Sequence, residues 1–362
     1  MRVLFLNQYF PPDPAPTGIL LAEVAETLRG RGAEVDFVAA RQDYRRGSKR
    51  RGRMLRELAA LARMFLDGLR RPRPDVIFSA SSPPCLLVVA TLLTRWHRAH
   101  SVHWVMDVYP EIAVALGEVR PGLLSRILER VMGWSYRRTN LVVALDEDMA
   151  ERLRRYRVEP RISRPWVSRA MLEQPASEAG PEPLWTWIYS GNLGRAHEWE
   201  TLLAAQAKLE ARGVPARLFF QGGGPSWMAA QRQAQELGLR ACVWRDYVPE
   251  SELRASLLRA QCCVVTQRPE VRGLLWPSKL GLVLSLPRRI LFVGPPDGAI
   301  ARELRNFRET AVFAPGAAEE ISQWIERQAL ETSRLLPADR VDAAGERERS
   351  LAEWWKWLAQ WS

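Results

Sequence analysis

Cysteine and histidine are scarce, with four of each in 362 residues. Cys85, Cys242, Cys262 and Cys263 stand in apolar contexts without ligand spacing, which argues against a zinc site or a disulfide framework and for reduced core thiols in a cytoplasmic chain. Long apolar runs are also missing. The longest, at 85–93, stops at Thr94 and Arg95, well short of the roughly 20 residues that a membrane-spanning helix needs. The chain opens directly into an apolar strand at 3–6, with no basic lead and no small-residue cleavage site, so export is not expected. No G-x-x-x-x-G-K-[ST] loop is found, and the first strand leads into Asn7-Gln8-Tyr9-Phe10-Pro11-Pro12 instead of a G-x-G-x-x-G turn. A serine nucleophile elbow and an H-E-x-x-H helix are absent too. ATPase, dinucleotide, hydrolase and zinc chemistries therefore lose support, and no internal repeat at solenoid periods takes their place.

What is present is the composition of an ordinary globular protein, 47% hydrophobic and 26% charged. The length exceeds what one core usually serves, which predicts two domains. A net charge of +11 and a pI near 10.0 favour an acidic partner: nucleic acid, an anionic membrane or a phosphorylated ligand. Basic residues concentrate at Arg41, Arg45, Arg46, Lys49, Arg50, Arg51 and Arg53, just before the amphipathic run Met54, Leu55, Leu58, Leu61, Met64, Phe65. Two readings of this run stay open. It is either a basic loop and helix docking on anionic lipid, or a solvated loop and a helix whose apolar stripe faces the core.

Apolar runs at 3–6, 35–39, 76–79, 102–105 and 141–145 alternate with helical periodicity at 20–31, 54–70, 86–95, 123–138 and 147–156, which predicts parallel βαβ units. Between 157 and 183 the periodicity fails amid Pro160, Pro165, Pro175, Pro181 and Pro183. A second series starts at 185–189 and continues through strands at 216–221, 242–244 and 262–266. The expected layout is an acceptor domain at 1–165, a linker at 166–184, a donor domain at 185–340 and a C-terminal helix at 341–362. The last carries Trp354, Trp355, Trp357 and Trp361, too much aromatic area to stay bare, and is expected to pack back on the first domain. Paired Rossmann-like halves of this kind bind ligands beyond the carboxyl ends of their strands.

Two glycine-bearing turns follow strands of the second series. Ser190-Gly191-Asn192-Leu193-Gly194-Arg195 permits close backbone approach to a pyrophosphate, with Arg195 and His197 as added charge, and Gln221-Gly222-Gly223-Gly224 makes the second turn. A third element spans Pro269, Glu270 and Gly273 to Pro277-Ser278-Lys279 at the start of a helical run at 280–286. There a hydroxyl, a cation and a helix dipole together suit a diphosphate, although Ser278 could equally be a plain cap.

These segments, taken in order, resemble family 4 retaining glycosyltransferases of the GT-B fold, most of all the colanic-acid and exopolysaccharide branch. The carriers are Tyr189 to Gly194, Phe220-Gln221-Gly222-Gly223-Gly224-Pro225, Pro277-Ser278-Lys279-Leu280 and Leu291-Phe292-Val293-Gly294-Pro295. In the first half, Asn7 to Pro12 through Pro16-Thr17-Gly18 resembles the opening glycine loop, and Trp104 to Glu111 an acceptor-side segment. The resemblance implies two Rossmann-like α/β domains facing each other across a cleft. It further implies transfer of a hexosyl group from a UDP- or GDP-linked sugar to a glycan or lipid-linked acceptor with retention, and no obligatory metal or other cofactor. The implied setting is cell-surface polysaccharide biosynthesis, in a cytoplasmic or inner-face peripheral protein.

On that resemblance Lys279 and Asp107 carry the catalysis, the first by charge on the leaving diphosphate, the second by orienting an acceptor hydroxyl or sharing its proton. Gly18, His103, Gly191, Asn192, Gly194, Arg195, His197, Gly222, Gly223, Glu270, Pro277 and Ser278 line the substrate. His103 also reads as a satisfied core histidine, and Glu111 as a helix cap. One departure is plain: the family's E-x7-E pair falls on Leu274 and Leu282. A non-catalytic GT-B-fold nucleotide-sugar-binding or partner subunit is therefore the alternative. An epimerase would want more cleft histidines and carboxylates, and a nucleic-acid binder has only the net charge in its favour.

Overall fold

The computed structural model describes residues 1–13, 15–40, 53–174, 182–330 and 340–361. The chain divides into two compact units. Met1–Ser168, Gly273–Trp276 and Gly345–Ser362 make unit 1; Arg169–Arg272 and Pro277–Ala344 make unit 2. The basic cluster at 41–51 lies outside the described residues.

Unit 1 runs β1 (Arg2–Asn7), α1 (Pro16–Arg29), β2 (Glu34–Ala39), α2 (Arg53–Leu69), β3 (Val76–Ala80), α3 (Leu86–His97), β4 (His100–Trp104), α4 (Glu111–Ala115), α5 (Leu123–Tyr136), β5 (Leu141–Ala144), α6 (Glu147–Arg154) and β6 (Arg161–Ile162). Its six strands are parallel in the order β2-β1-β3-β4-β5-β6. Every residue of β3 and β5 is buried, as expected of strands covered on both faces by helices. The connection β1-α1-β2 steps one way along the sheet and the later ones step the other, so with right-handed crossovers α2, α3 and α5 share one sheet face and α1 takes the opposite one.

Unit 2 runs α7 (Arg169–Leu172), β7 (Trp185–Asn192), α8 (Glu200–Ala211), β8 (Ala216–Gly223), α9 (Trp227–Glu236), β9 (Cys242–Arg245), α10 (Glu250–Arg259), β10 (Cys262–Thr266), α11 (Leu280–Ser285), β11 (Arg289–Val293), α12 (Ala299–Leu304), β12 (Thr310–Phe313) and α13 (Ala318–Leu330). Its sheet is also parallel, ordered β12-β11-β10-β7-β8-β9. The direction of winding reverses between β7 and β10, which is where open α/β sheets place their ligands. The core joins Trp187, Tyr189 and Phe220 from the strands to Leu202 and Leu209 of α8 and Ile321 and Ile325 of α13.

The last helix, α14 (Ala343–Ala359), returns its length from Gly345 to unit 1. Trp354 is fully enclosed, with ring centroids 4.9 Å from Phe78, 5.0 Å from Trp104 and 5.1 Å from Trp357. Arg347 Nε donates to Glu23 Oε2 at 2.8 Å, and Trp166 Nε1 donates to the same oxygen. Trp354 and Trp357 of the tail are thus core, while Trp355 and Trp361 are half-buried.

The amphipathic run at 54–65 divides its apolar residues between core and solvent. Ala60 and Met64 are buried and Leu61 and Phe65 pack beside them, while Leu55 and Leu58 point to solvent.

Candidate functional site

In unit 2, β7 continues three residues and β8 two residues further than their apolar runs predict, so Gly191 and Gly222 are strand residues and not turn residues. They stand opposite each other in the parallel register. Both have φ in the left-handed half, at 134 and 136°, and a Cβ on Gly222 would meet the Gly191 carbonyl oxygen at 2.1 Å. Glycine at 222 is therefore required first by strand approach. At Gly191 the neighbour is different: a Cβ there would lie 2.5 Å from Lys279 Nζ. The open backbone makes room for the lysine.

Lys279 is the N-cap residue of α11 and makes no side-chain cap bond; Ser278 beside it is exposed. The lysine stem is partly exposed, but Nζ is enclosed and has no hydrogen-bond partner among the described residues. It lies 3.8 Å from the centroid of the Tyr189 ring, a cation–π contact. Burial lowers its pKa to about 7. An enclosed ammonium with three donors and no acceptor is poised for an anion, because desolvation has already been incurred and the Coulombic partner is missing.

His197 was expected to add charge; it does not. Burial, and then the Lys279 charge, lower its pKa to about 3. Its Nδ1 lies 3.1 Å from the Thr266 carbonyl oxygen, which can only accept, so Nδ1 carries the proton and Nε2 is left as an acceptor. Asn192, the last residue of β7, and Arg195 in the turn after it are exposed, and Pro277 is buried. Gly194 has room for a side chain, whereas Gly223 lies under Tyr247, 3.0 Å from its ring edge to an ideal Cβ. Glu270 stands exposed on the 3-10 turn Pro269–Val271. Gly191→Ala should lower stability by about 1–3 kcal/mol from backbone strain and displace the lysine head. Chemical denaturation together with nucleotide titration checks both effects.

In unit 1, Asp107 pairs its backbone with Leu275, and Val108 N–H donates to the Leu274 carbonyl at 2.9 Å. No side-chain hydrogen bond or ion pair engages the Asp107 carboxylate among the described residues, and burial raises its pKa to about 6. It shares a small recess with His103, Ser81 and Tyr109. His103 is fully buried, with Nδ1 2.8 Å from Ser79 Oγ and a pKa lowered to about 3 by burial. It fits the core-histidine reading. Gly18 serves packing: a Cβ would sit 2.6 Å from the Tyr9 carbonyl oxygen. Glu111 is not a cap but a buried acid paired with Arg155 and accepting from Tyr156.

Tyr189, the first residue of the Tyr189 to Gly194 motif, forms the floor beneath Lys279. The available signal was an aromatic two residues before a strand-end glycine.

The two sheets, each parallel and wound about a switch point, define an α/β protein of the GT-B class. Residues 17–164 match the model of Glycosyltransferase Family 4. The chain is 26% identical to the probable glycosyltransferase WbjE of Pseudomonas aeruginosa over 266 residues, 68% of this chain and 65% of that one. It is 27% identical to the putative colanic acid biosynthesis glycosyl transferase WcaI of Escherichia coli K12 over 165 residues, 45% of this chain and 39% of the relative. The chain thus spans less than two thirds of the length of either. Among solved structures, Anabaena Alr3699/HepE in complex with UDP and glucose superposes with a TM-score of 0.64 at 14% identity, covering 99% of this chain and 98% of that one. The family 4, exopolysaccharide-branch resemblance read from the motifs is borne out.

Proposed function

We propose that this chain is a glycosyltransferase that moves a hexosyl group from a nucleoside-diphosphate sugar to a glycan or lipid-linked acceptor, with retention, in surface-polysaccharide assembly. One observation carries the reading: the enclosed Lys279 Nζ at the switch point of unit 2, which has no hydrogen-bond partner among the described residues. A diphosphate placed there would supply the missing charge. Negative charge that grows on the leaving group would meet a cation fixed by packing, which lowers the barrier more than it tightens the ground state. The lysine charge itself fills the electrostatic role, so the proposal calls on no metal. The names of WbjE and WcaI support sugar transfer, and the UDP and glucose held by HepE support the class of donor.

Asp107 is the acid proposed to orient the acceptor hydroxyl. With its pKa raised to about 6, it would be ionised and able to accept a proton at neutral pH. A second reading, nucleotide-sugar binding without transfer, is favoured by one fact: Leu274 and Leu282, where the family carries glutamates, are buried apolar residues at 2% and 6% exposure.

Thermal unfolding with UDP, GDP and their sugars tests the donor site, since a ligand bound to the folded state raises stability by mass action. Selective stabilisation by one nucleoside diphosphate is expected. Asp107→Asn should keep that stabilisation and lower donor turnover roughly 100-fold. Turnover equal to wild type removes Asp107 from catalysis, and no stabilisation by any nucleotide overturns the reading.

A further inference from the structure

Unit 1 has nine large apolar side chains exposed among its described residues, and all of them lie on α2, α3 and α5. These three helices share one face of the sheet, with α3 packed against both α2 and α5. On α5 the buried residues Ser125, Met132, Ser135 and Tyr136 mark the inner side. Leu123, Leu124, Ile127 and Val131 fall on the opposite side within about 100° of arc. The helix therefore has an apolar stripe facing solvent, with Leu123 73% exposed. On α2 the same holds for Leu55, Leu58 and Leu66. On α3 Leu92 and Trp96 lie one turn apart, and Trp96 is 68% exposed.

Arginines edge these stripes. Arg56, Arg63 and Arg70 recur every seven residues along one border of the α2 stripe, and Arg126, Arg130 and Arg137, spaced four and seven residues apart, line one border of the α5 stripe. The acids on these two helices are only Glu57, Asp67 and Glu129. A solvent-facing apolar stripe bordered by arginine is the pattern of helices that lie in a membrane interface, their apolar faces among the acyl chains and their cations at the lipid phosphates. A second copy of the chain would be a poor occupant, because a symmetric contact would set the same arginine rows against each other.

We propose that the outer surface of the α2-α3-α5 layer docks on an anionic lipid bilayer. The inference goes beyond the sugar-transfer reading and does not need it. None of its residues belongs to the donor or acceptor site.

The test is co-sedimentation of the full chain with vesicles of phosphatidylcholine containing about 30% phosphatidylglycerol, against pure phosphatidylcholine. Binding is expected to the anionic vesicles, weaker at high salt and weak on neutral ones. Leu123→Ser/Leu124→Ser/Ile127→Ser and Arg126→Glu/Arg130→Glu should each lower it roughly tenfold or more, while Met228→Ser, an exposed apolar site in unit 2, should not. The nucleotide response of the same variants, expected unchanged, reports folding and the donor site separately. The proposal is overturned if wild type ignores anionic vesicles, if it binds neutral ones equally, or if the variants bind like wild type. It is also overturned if wild type is dimeric without vesicles and the variants are monomeric.

Discussion

Replacing Lys279 with methionine should make the free protein more stable and the donor complex far weaker. In the folded chain burial lowers the lysine pKa from 10.5 to about 7. At neutral pH that corresponds to an opposing free energy on the order of 4 kcal/mol. The contact with Tyr189 returns about 2 kcal/mol at most for a desolvated cation over a ring, so desolvation wins. Lys279→Met keeps most of the stem volume and removes the charge, and a gain of about 2 kcal/mol is expected. The pH dependence has a definite sign. Between pH 7 and 10.5 the unfolded chain holds the proton that the folded chain has released, so at this group stability rises with pH. The advantage of the methionine variant is therefore greatest at and below pH 7 and closes toward pH 10.5.

Nucleotide binding should move the other way, weakening roughly 100-fold with the loss of charge-assisted hydrogen bonds to the diphosphate. Wild-type affinity should also decline above pH 7 as the free lysine loses its proton. Thermal unfolding from pH 6 to 10, with and without UDP and GDP, reads both effects. A variant that is less stable yet binds nucleotide normally would make Lys279 a packing residue and dismiss the anion role.

That opposition of stability and binding explains what could be read from residue order and what could not. Strands such as β3 and β10 are buried on both faces, so their apolar runs are continuous and their parallel pairing follows. The pair Gly191 and Gly222 was legible as glycine, but its cause was not. Only the register that sets them side by side shows that one position clears a carbonyl and the other a lysine head. Likewise, nothing in the spacing of His197 reveals a carbonyl 69 residues away that fixes its tautomer. The edge strand β12, four residues and only partly buried, has too weak a pattern to be assigned from periodicity. In α5 the stripe Leu123, Leu124, Ile127 and Val131 reads as a core face, and only burial shows that it faces solvent while Ser125, Met132 and Tyr136 turn inward.

Trp354→Ala should destabilise unit 1 by about 3–5 kcal/mol, the usual cost of deleting a large buried aromatic. The ring touches Phe78 of β3 and Trp104 of β4, so its loss opens a cavity between α14 and the centre of the sheet. Refilling from solvent is opposed, because the cavity would be walled by Phe78, Trp104 and Trp357. The indole Nε1 has no hydrogen-bond partner among the described residues, and removing it returns about 1 kcal/mol, too little to offset the cavity. That same unpaired N–H sets a second expectation. Trp354→Phe gives up ring volume but also discards the unsatisfied donor, and should cost only about 1 kcal/mol. Trp355, one residue on, is half-buried with Arg31 over its ring at 5.1 Å, and Trp355→Ala should cost less than about 1 kcal/mol. Hydrogen exchange localises the effect: in Trp354→Ala the amides of β3 and β4 should lose protection, with those of β7 and β10 unchanged. Equal stability of the two alanine variants would mean that the tail helix covers the sheet without closing its core.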